Sequence, residues 1–72
     1  MTGMEKLFNA VIEQAAKDYR ATARNLKKQP NDVALRYELY LLAKFFLSER
    51  FSRMTDADGE LILELLRKET GV

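Results

Sequence analysis

Basic residues between positions 17 and 28 form the part of this sequence best suited to binding an anionic ligand. Five positive charges recur there at helical spacing against the single negative charge of Asp18, which gives the segment a net charge of +4. They are Lys17, Arg20, Arg24, Lys27 and Lys28. Arginine pairs at such spacing can hold a phosphate or a carboxylate through charge-assisted hydrogen bonds. Tyr19, beside Arg20, could stack on a nucleobase.

A nucleotide site of this kind would also draw on residues from the middle of the chain. Our candidate residues for ligand or partner binding are Tyr19, Arg20, Arg24, Lys27, Ser48 and Arg53. Residues 55–64 carry a charge of −4, so the formal net charge of +1 conceals a polarised chain. The two segments can instead pair across the fold, remain as solvated faces, or join the basic end of one subunit to the acidic end of another.

The segment Asp56-Ala57-Asp58-Gly59-Glu60 partly matches a calcium-binding EF-hand loop. The match fails at both ends of the loop, where Met54 and Leu65 stand in place of acidic ligands. Helix capping is the better interpretation, and Gly59 in a first helical turn hints at the close approach of another backbone or a ligand. We therefore expect no metal at this segment.

The composition excludes several classes of enzyme. The chain has no cysteine and no histidine, so disulfides, zinc cages, thiol nucleophiles and Ser-His pairs are all ruled out. Only scattered carboxylates and lysines remain for acid–base chemistry, and no pairing among them is recognisable. We expect a non-enzymatic protein without a cofactor.

Three predicted helices must position these residues. Apolar residues spaced three and four apart predict a long first helix over about 4–28, which Pro30 ends. Asn31 or Asp32 can cap a second helix over about 32–50, and Thr55 can cap a third over about 56–69, with Asp58 as its capping-box partner. We expect Gly71 to end the third helix. Its buried side should consist of Leu61, Ile62, Leu65 and Leu66.

The second predicted helix is apolar on two sides. Leu35, Leu39, Leu42, Ala43 and Phe46 form one stripe, and Ala34, Tyr37, Leu41 and Phe45 form another. Helices one and three could cover both stripes. The alternative is that the second stripe meets another subunit, with Tyr37, Leu41 and Phe45 as the oligomer interface.

The length of 72 residues predicts a single all-α domain with a small core, to which oligomerisation can add stability. No apolar stretch reaches the roughly 18 residues of a membrane span, and the first residues lack the pattern of a signal peptide. We expect a cytoplasmic protein, or one acting in the host cytoplasm if a phage encodes it, with no membrane partner.

Several segments resemble a family of short phage and prophage proteins of Gram-positive bacteria. They are Asp18-Tyr19-Arg20, Phe45-Phe46-Leu47-Ser48-Glu49-Arg50-Phe51, Thr55-Asp56-Ala57-Asp58-Gly59-Glu60 and Leu66-Arg67. The family tends to carry arginine where this chain has Leu47 and tryptophan where it has Arg50. The resemblance implies a phage-type setting, in which small proteins often bind and block a host component.

Our leading hypothesis is thus an oligomeric phage-type binding protein that neutralises a host factor, either a protein or a small anionic nucleotide signal. The alternative hypothesis is a nucleic-acid-binding or transcription accessory protein that uses the basic residues of helix one. Sequence-specific DNA binding has less support, because no turn followed by a recognition helix is evident.

Overall fold

The computed structural model describes the backbone of residues 3–72 and the side chains of residues 6–72. Four α-helices make up this part of the chain: α1 (Gly3–Lys28), α2 (Val33–Phe46), α3 (Glu49–Met54) and α4 (Gly59–Thr70). The prediction of a small all-α domain is confirmed. The molecule is elongated, measuring 42 × 19 × 19 Å along its principal axes, because α1 is much longer than the helices packed against it.

The turn between α1 and α2 follows the sequence signals closely. Helix α1 ends at Lys28, two residues before Pro30. Asp32 caps α2, since its Oδ1 accepts a hydrogen bond from the Leu35 N–H at 3.2 Å. Of the two predicted caps, Asn31 and Asp32, the second is therefore the one used. The four-residue connection brings α2 back along α1. The contact between α1 and α2 is more extensive than that of any other helix pair.

The helix predicted over 32–50 is in fact two helices. Helix α2 ends at Phe46, and Ser48 starts α3 by accepting a hydrogen bond from the Phe51 N–H at 3.2 Å. The Ser48 hydroxyl also donates to the Phe45 carbonyl at 2.7 Å, so one side chain serves both helix ends. The change of direction allows Phe51, at the centre of α3, to enter the core.

Helix α4 begins three residues later than predicted. Asp58 is its cap, with Oδ1 accepting from the Leu61 N–H at 3.2 Å. Thr55 does not cap the helix, because its hydroxyl accepts from the Ala57 N–H at 3.2 Å within the preceding turn. The prediction for the other end is confirmed: Gly71 ends α4 in the left-handed conformation, with φ of 74°.

Gly59 sets the rotation of α4 about its own axis. It is buried, and a Cβ atom at this position would overlap the carbonyl oxygen of Phe46. The face of α4 that carries Gly59 must therefore point inwards, and with it Leu63 and Leu66 at spacings of four and three. The predicted inner positions Leu61 and Leu65 are instead 52% and 55% exposed. The suggested close approach at Gly59 is confirmed, and its partner is backbone.

Among residues 6–72 the core consists of seven buried apolar residues contributed by all four helices. They are Ala15, Tyr19, Ala23, Phe46, Phe51, Leu63 and Leu66. The Phe46 and Phe51 rings lie 5.6 Å apart between centroids. No helix within residues 3–72 combines the length and the apolar character needed to cross a bilayer.

Candidate binding surfaces

The basic face of α1, made of Lys17, Arg20, Arg24, Lys27 and Lys28, is exposed along its length. Arg20 is partly neutralised, because its Nε lies 3.1 Å from both carboxylate oxygens of Glu69 on α4. A basic residue of α1 therefore pairs with an acidic residue across the fold. The acidic partner is Glu69, which lies outside the predicted segment 55–64. Both side chains remain about half exposed, so the pair contributes roughly 0.2–1 kcal/mol.

Three of the six predicted ligand residues share one groove. Arg20, Arg24 and Lys27 line it together with Glu69 and Thr70 at the end of α4. A Cβ atom built on Gly71 would lie 3.1 Å from the Lys27 Nζ, so this ammonium group stands at the carboxyl end of α4. Carbonyl groups at a helix end attract a cation there. Glu69 and the helix end therefore already account for two of the three positive charges.

The other three predicted ligand residues lie elsewhere. Tyr19 is 1% exposed and its hydroxyl donates to the Val72 carbonyl at 3.0 Å, so the ring has no free face for stacking on a base. Ser48 is occupied by its two hydrogen bonds at the α2–α3 junction. Arg53 lies on α3 beside Glu49, in a separate groove with Asn9. The structure does not assemble these residues and the basic face into one nucleotide pocket.

A second candidate surface is apolar and spans α1 and α2. We call it the α1–α2 apolar surface and define it by Val11, Leu41, Leu42, Phe45 and Leu47. Two open grooves meet at Phe45: one of about 390 Å³ between α1 and α2, and one of about 500 Å³ that extends towards α3. Val11 is 41% exposed, Leu41 46% and Leu47 54%.

Phe45 joins this surface to the core. Its ring makes edge-to-face contacts with Phe46 and Phe51, at centroid distances of 5.5 Å and 5.7 Å. Phe45 also lines both grooves and is only partly buried. Phe45 is thus held in place by contacts with the core and is still accessible at the surface. This is the arrangement of a preorganised hydrophobic anchor.

Tyr37 and Leu41, the other predicted interface residues, are not covered by α1, α3 or α4. Tyr37 is 60% exposed and its ring lies 6.4 Å from that of Tyr40, one turn further along α2. The Lys44 Nζ stands 5.5 Å from the centre of the Tyr40 ring. The neighbouring helices thus leave Tyr37 and Leu41 of the second stripe exposed, whereas Phe45 packs partly against the core.

Charged side chains border the α1–α2 apolar surface on two sides. Asp18 lines the groove between α1 and α2, and Glu38 is exposed on the adjoining side of α2. Lys44 and Arg50 line the groove on the far side of Phe45. Among residues 6–72 none of these four side chains has an ion-pair partner within 4.0 Å. The Asp18 Oδ1 accepts a hydrogen bond from the Gln14 Nε2 at 2.9 Å, but that amide carries no charge. The surface therefore has an acidic edge and a basic edge, and neither edge is neutralised by an ion pair in the described part.

No family model matches this chain. No curated protein and no solved structure matches it either. Its own surfaces are therefore the basis for a functional assignment.

The sequence patterns did not identify some of the apolar residues as exposed. Leu7, 61% exposed, precedes Val11 by one turn and extends the apolar surface along α1. Their helical spacing with Ala15 was visible, but the same spacing also fits the core face of α1. Leu61 and Leu65 form a separate exposed pair on α4, away from its buried face.

The described acidic side chains do not form a metal cluster. Among residues 6–72 there is no group of three or more carboxylates that could hold a metal ion. Asp58 accepts the helix-capping hydrogen bond, and Asp56 is exposed beside Arg53 in the groove near α3. The geometry of the two surfaces suits binding: charge pairing at the basic face of α1 and burial of apolar area at the α1–α2 apolar surface.

Proposed function

We propose that this protein is a non-enzymatic, phage-type binding protein that neutralises a host protein by contacting it through the α1–α2 apolar surface. The observation that carries the proposal is the exposure of Leu41 and Val11 on either side of Phe45. The Phe45 ring is held in place by its contacts with Phe46 and Phe51. Contiguous apolar area of this kind on a small domain marks an interaction site.

A protein target has more support than a sequestered nucleotide. The predicted nucleotide site combined Tyr19, Arg20 and Arg24 with either Ser48 or Arg53. Tyr19, however, lies in the core. An apolar surface with a central aromatic ring is suited to the apolar face of a partner protein, where aromatic anchors contribute most of the binding energy. The phage setting and the host identity of the target rest on the family resemblance alone.

The proposal is tested by capture from a host lysate with three baits: the wild type, Leu41→Glu and Arg24→Glu. We expect the wild type and Arg24→Glu to retain the same host protein, and Leu41→Glu to lose it. Mass spectrometry of bound proteins and small molecules identifies what is retained. Equal capture by all three baits, or capture of none, would contradict the proposal.

Nucleic-acid binding is the second candidate function, favoured by the outward position of five positive residues along one side of α1. In that case Arg24→Glu weakens retention on DNA or RNA, and retention falls steeply with added salt. Leu41→Glu then serves as the control that leaves retention unchanged. Retention on DNA or RNA that does not depend on salt, or no retention at all, would exclude nucleic-acid binding.

A further inference from the structure

We infer that a second copy of this chain covers the α1–α2 apolar surface in the free protein, in a two-fold arrangement that places the acidic edge of each copy against the basic edge of the other. The inference rests on the proposed function of this surface as a site for a protein partner. It names the partner that occupies the surface when no target is bound.

The order of residues around α2 gives the surface its polarity. At about 100° per residue, the side chains succeed one another from the α1 side outwards as Leu42, Glu38, Phe45, Leu41 and Lys44. Asp18 of α1 stands on the Leu42 side, and Arg50 of α3 stands on the Lys44 side. The Leu41 and Phe45 stripe thus separates the negative charges from the positive ones.

Such a surface is complementary to itself. In a two-fold interface each patch meets its own copy, and a rotation about a line along the Leu41 and Phe45 stripe exchanges the two sides of that line. The Asp18 side of one copy then faces the Lys44 side of the other, and the apolar stripes meet at the axis. A surface with one sign of charge on both edges would repel its own copy.

The size of the molecule permits this contact. A long side of the domain measures 42 × 19 Å in projection, about 800 Å², which is large enough for the roughly 800 Å² of accessible surface that one partner buries in an interface of ordinary size. The pairing would have to extend from Leu7 on α1 to Tyr37 on α2, and both are more than half exposed. Burial of these residues would supplement the small core, in which seven apolar side chains of residues 6–72 are buried.

Charge reversal on one edge at a time tests the arrangement. One variant, Asp18→Lys with Glu38→Lys, has only positive edges, and a second, Lys44→Glu with Arg50→Glu, has only negative edges. All four positions are exposed or at a groove rim, so both variants should keep their helix content by circular dichroism. The matched control, Glu64→Lys with Lys68→Glu, exchanges an exposed ion pair on α4 without changing the net charge.

Sedimentation equilibrium gives the outcome for each protein and for a mixture. We expect the wild type and the control to approach twice the chain mass of 8.3 kDa. Each edge variant alone should dissociate at least about a hundredfold more readily, because like charges then meet, and an equimolar mixture of the two should recover dimers. A monomeric wild type, edge variants that still dimerise alone, or a mixture without recovery would overturn the inference.

These results are distinguishable from those for the proposed function. If the wild type is monomeric and captures a host protein through Leu41, the inference of a second copy is wrong and the proposed function stands. If the wild type is dimeric and captures nothing, the inference stands and the proposed function is wrong.

Discussion

The two sides of α2 have similar apolar content, but one side is buried within the chain and the other is exposed. On the inner side Phe46 is 1% exposed, and Leu39 and Leu42 pack against the core. On the outer side Tyr37 is 60% exposed and Leu41 is 46% exposed, although both are large. The two sides differ in the cover that neighbouring helices provide, since α1 and α4 pack against α2 and still leave Tyr37 and Leu41 exposed.

The comparison shows that apolar periodicity locates a face to be buried but does not identify what buries it. The inner side of α2 is buried within the chain. The outer side remains available to a partner, and its anchor Phe45 is already ordered by contacts with Phe46 and Phe51. Substitutions on the two sides should therefore separate folding from association.

The largest effect is expected on the inner side. Phe46→Ala removes a fully buried ring that contacts Phe45 and Phe51, and it should cost about 3–5 kcal/mol in the free energy of unfolding. A single small core seldom supplies more than that amount, so the variant should be largely unfolded. Circular dichroism during urea titration measures the effect, and a loss below about 1 kcal/mol would contradict the packing described.

The contact between Gly59 and the inner end of α2 should have the next largest effect. In Gly59→Ala the added methyl group meets the Phe46 carbonyl, and overpacking of this kind costs about 1–3 kcal/mol. At an exposed helical position the same substitution would stabilise the helix by about 1 kcal/mol. The sign of the change in urea midpoint decides between a buried and an open environment at Gly59.

The junction that ends both sides of α2 should have an intermediate effect. Ser48→Ala removes the cap of α3 and should lower the free energy of unfolding by about 1 kcal/mol. Ser52→Ala is the matched control, because the Ser52 hydroxyl lies on the exposed side of α3 and makes only a long hydrogen bond of 3.5 Å. Equal stabilities for the two variants would show that the cap is unimportant.

The smallest effect on folding is expected on the outer side. Leu41→Ser should change the free energy of unfolding of the dilute protein by less than about 0.5 kcal/mol, since no neighbouring helix covers this side chain. Leu39→Ser, on the inner side of the same helix, is the comparison and should cost at least about 1 kcal/mol. Similar losses for both variants would remove the distinction between the sides.

Local signals predicted the ends of helices better than their rotation. Pro30, Asp32 and Gly71 act through their own backbone or side chain, so their roles can be read from neighbouring residues. The break at Ser48 was not predicted because Leu47 and Phe51, on either side of it, stand four positions apart, as on one face of a continuous helix. A cap signal was present there, since Ser48 is followed by Glu49 in the first turn of α3.

The composition of the candidate sites depends on contacts between distant residues, which spacing does not reveal. Tyr19 is drawn into the core by packing and by a hydrogen bond to Val72, 53 positions away. Leu61 and Leu65 face outwards because Gly59 must face the Phe46 carbonyl. Tyr37, Leu41 and Phe45 were recognised as a separate stripe, but only the packing of α1 and α4 shows which of them stay exposed.

The most direct test of the account is the mass of the wild type and of Leu41→Glu over a range of concentrations, with the helix content and melting temperature of each recorded at dilution. We expect the wild type to associate as concentration rises, and Leu41→Glu to remain a folded monomer with an unchanged melting temperature at dilution. Unfolding of Leu41→Glu would show that the outer side of α2 belongs to the core. A wild type that stays monomeric at high micromolar concentration would show that no second copy covers it.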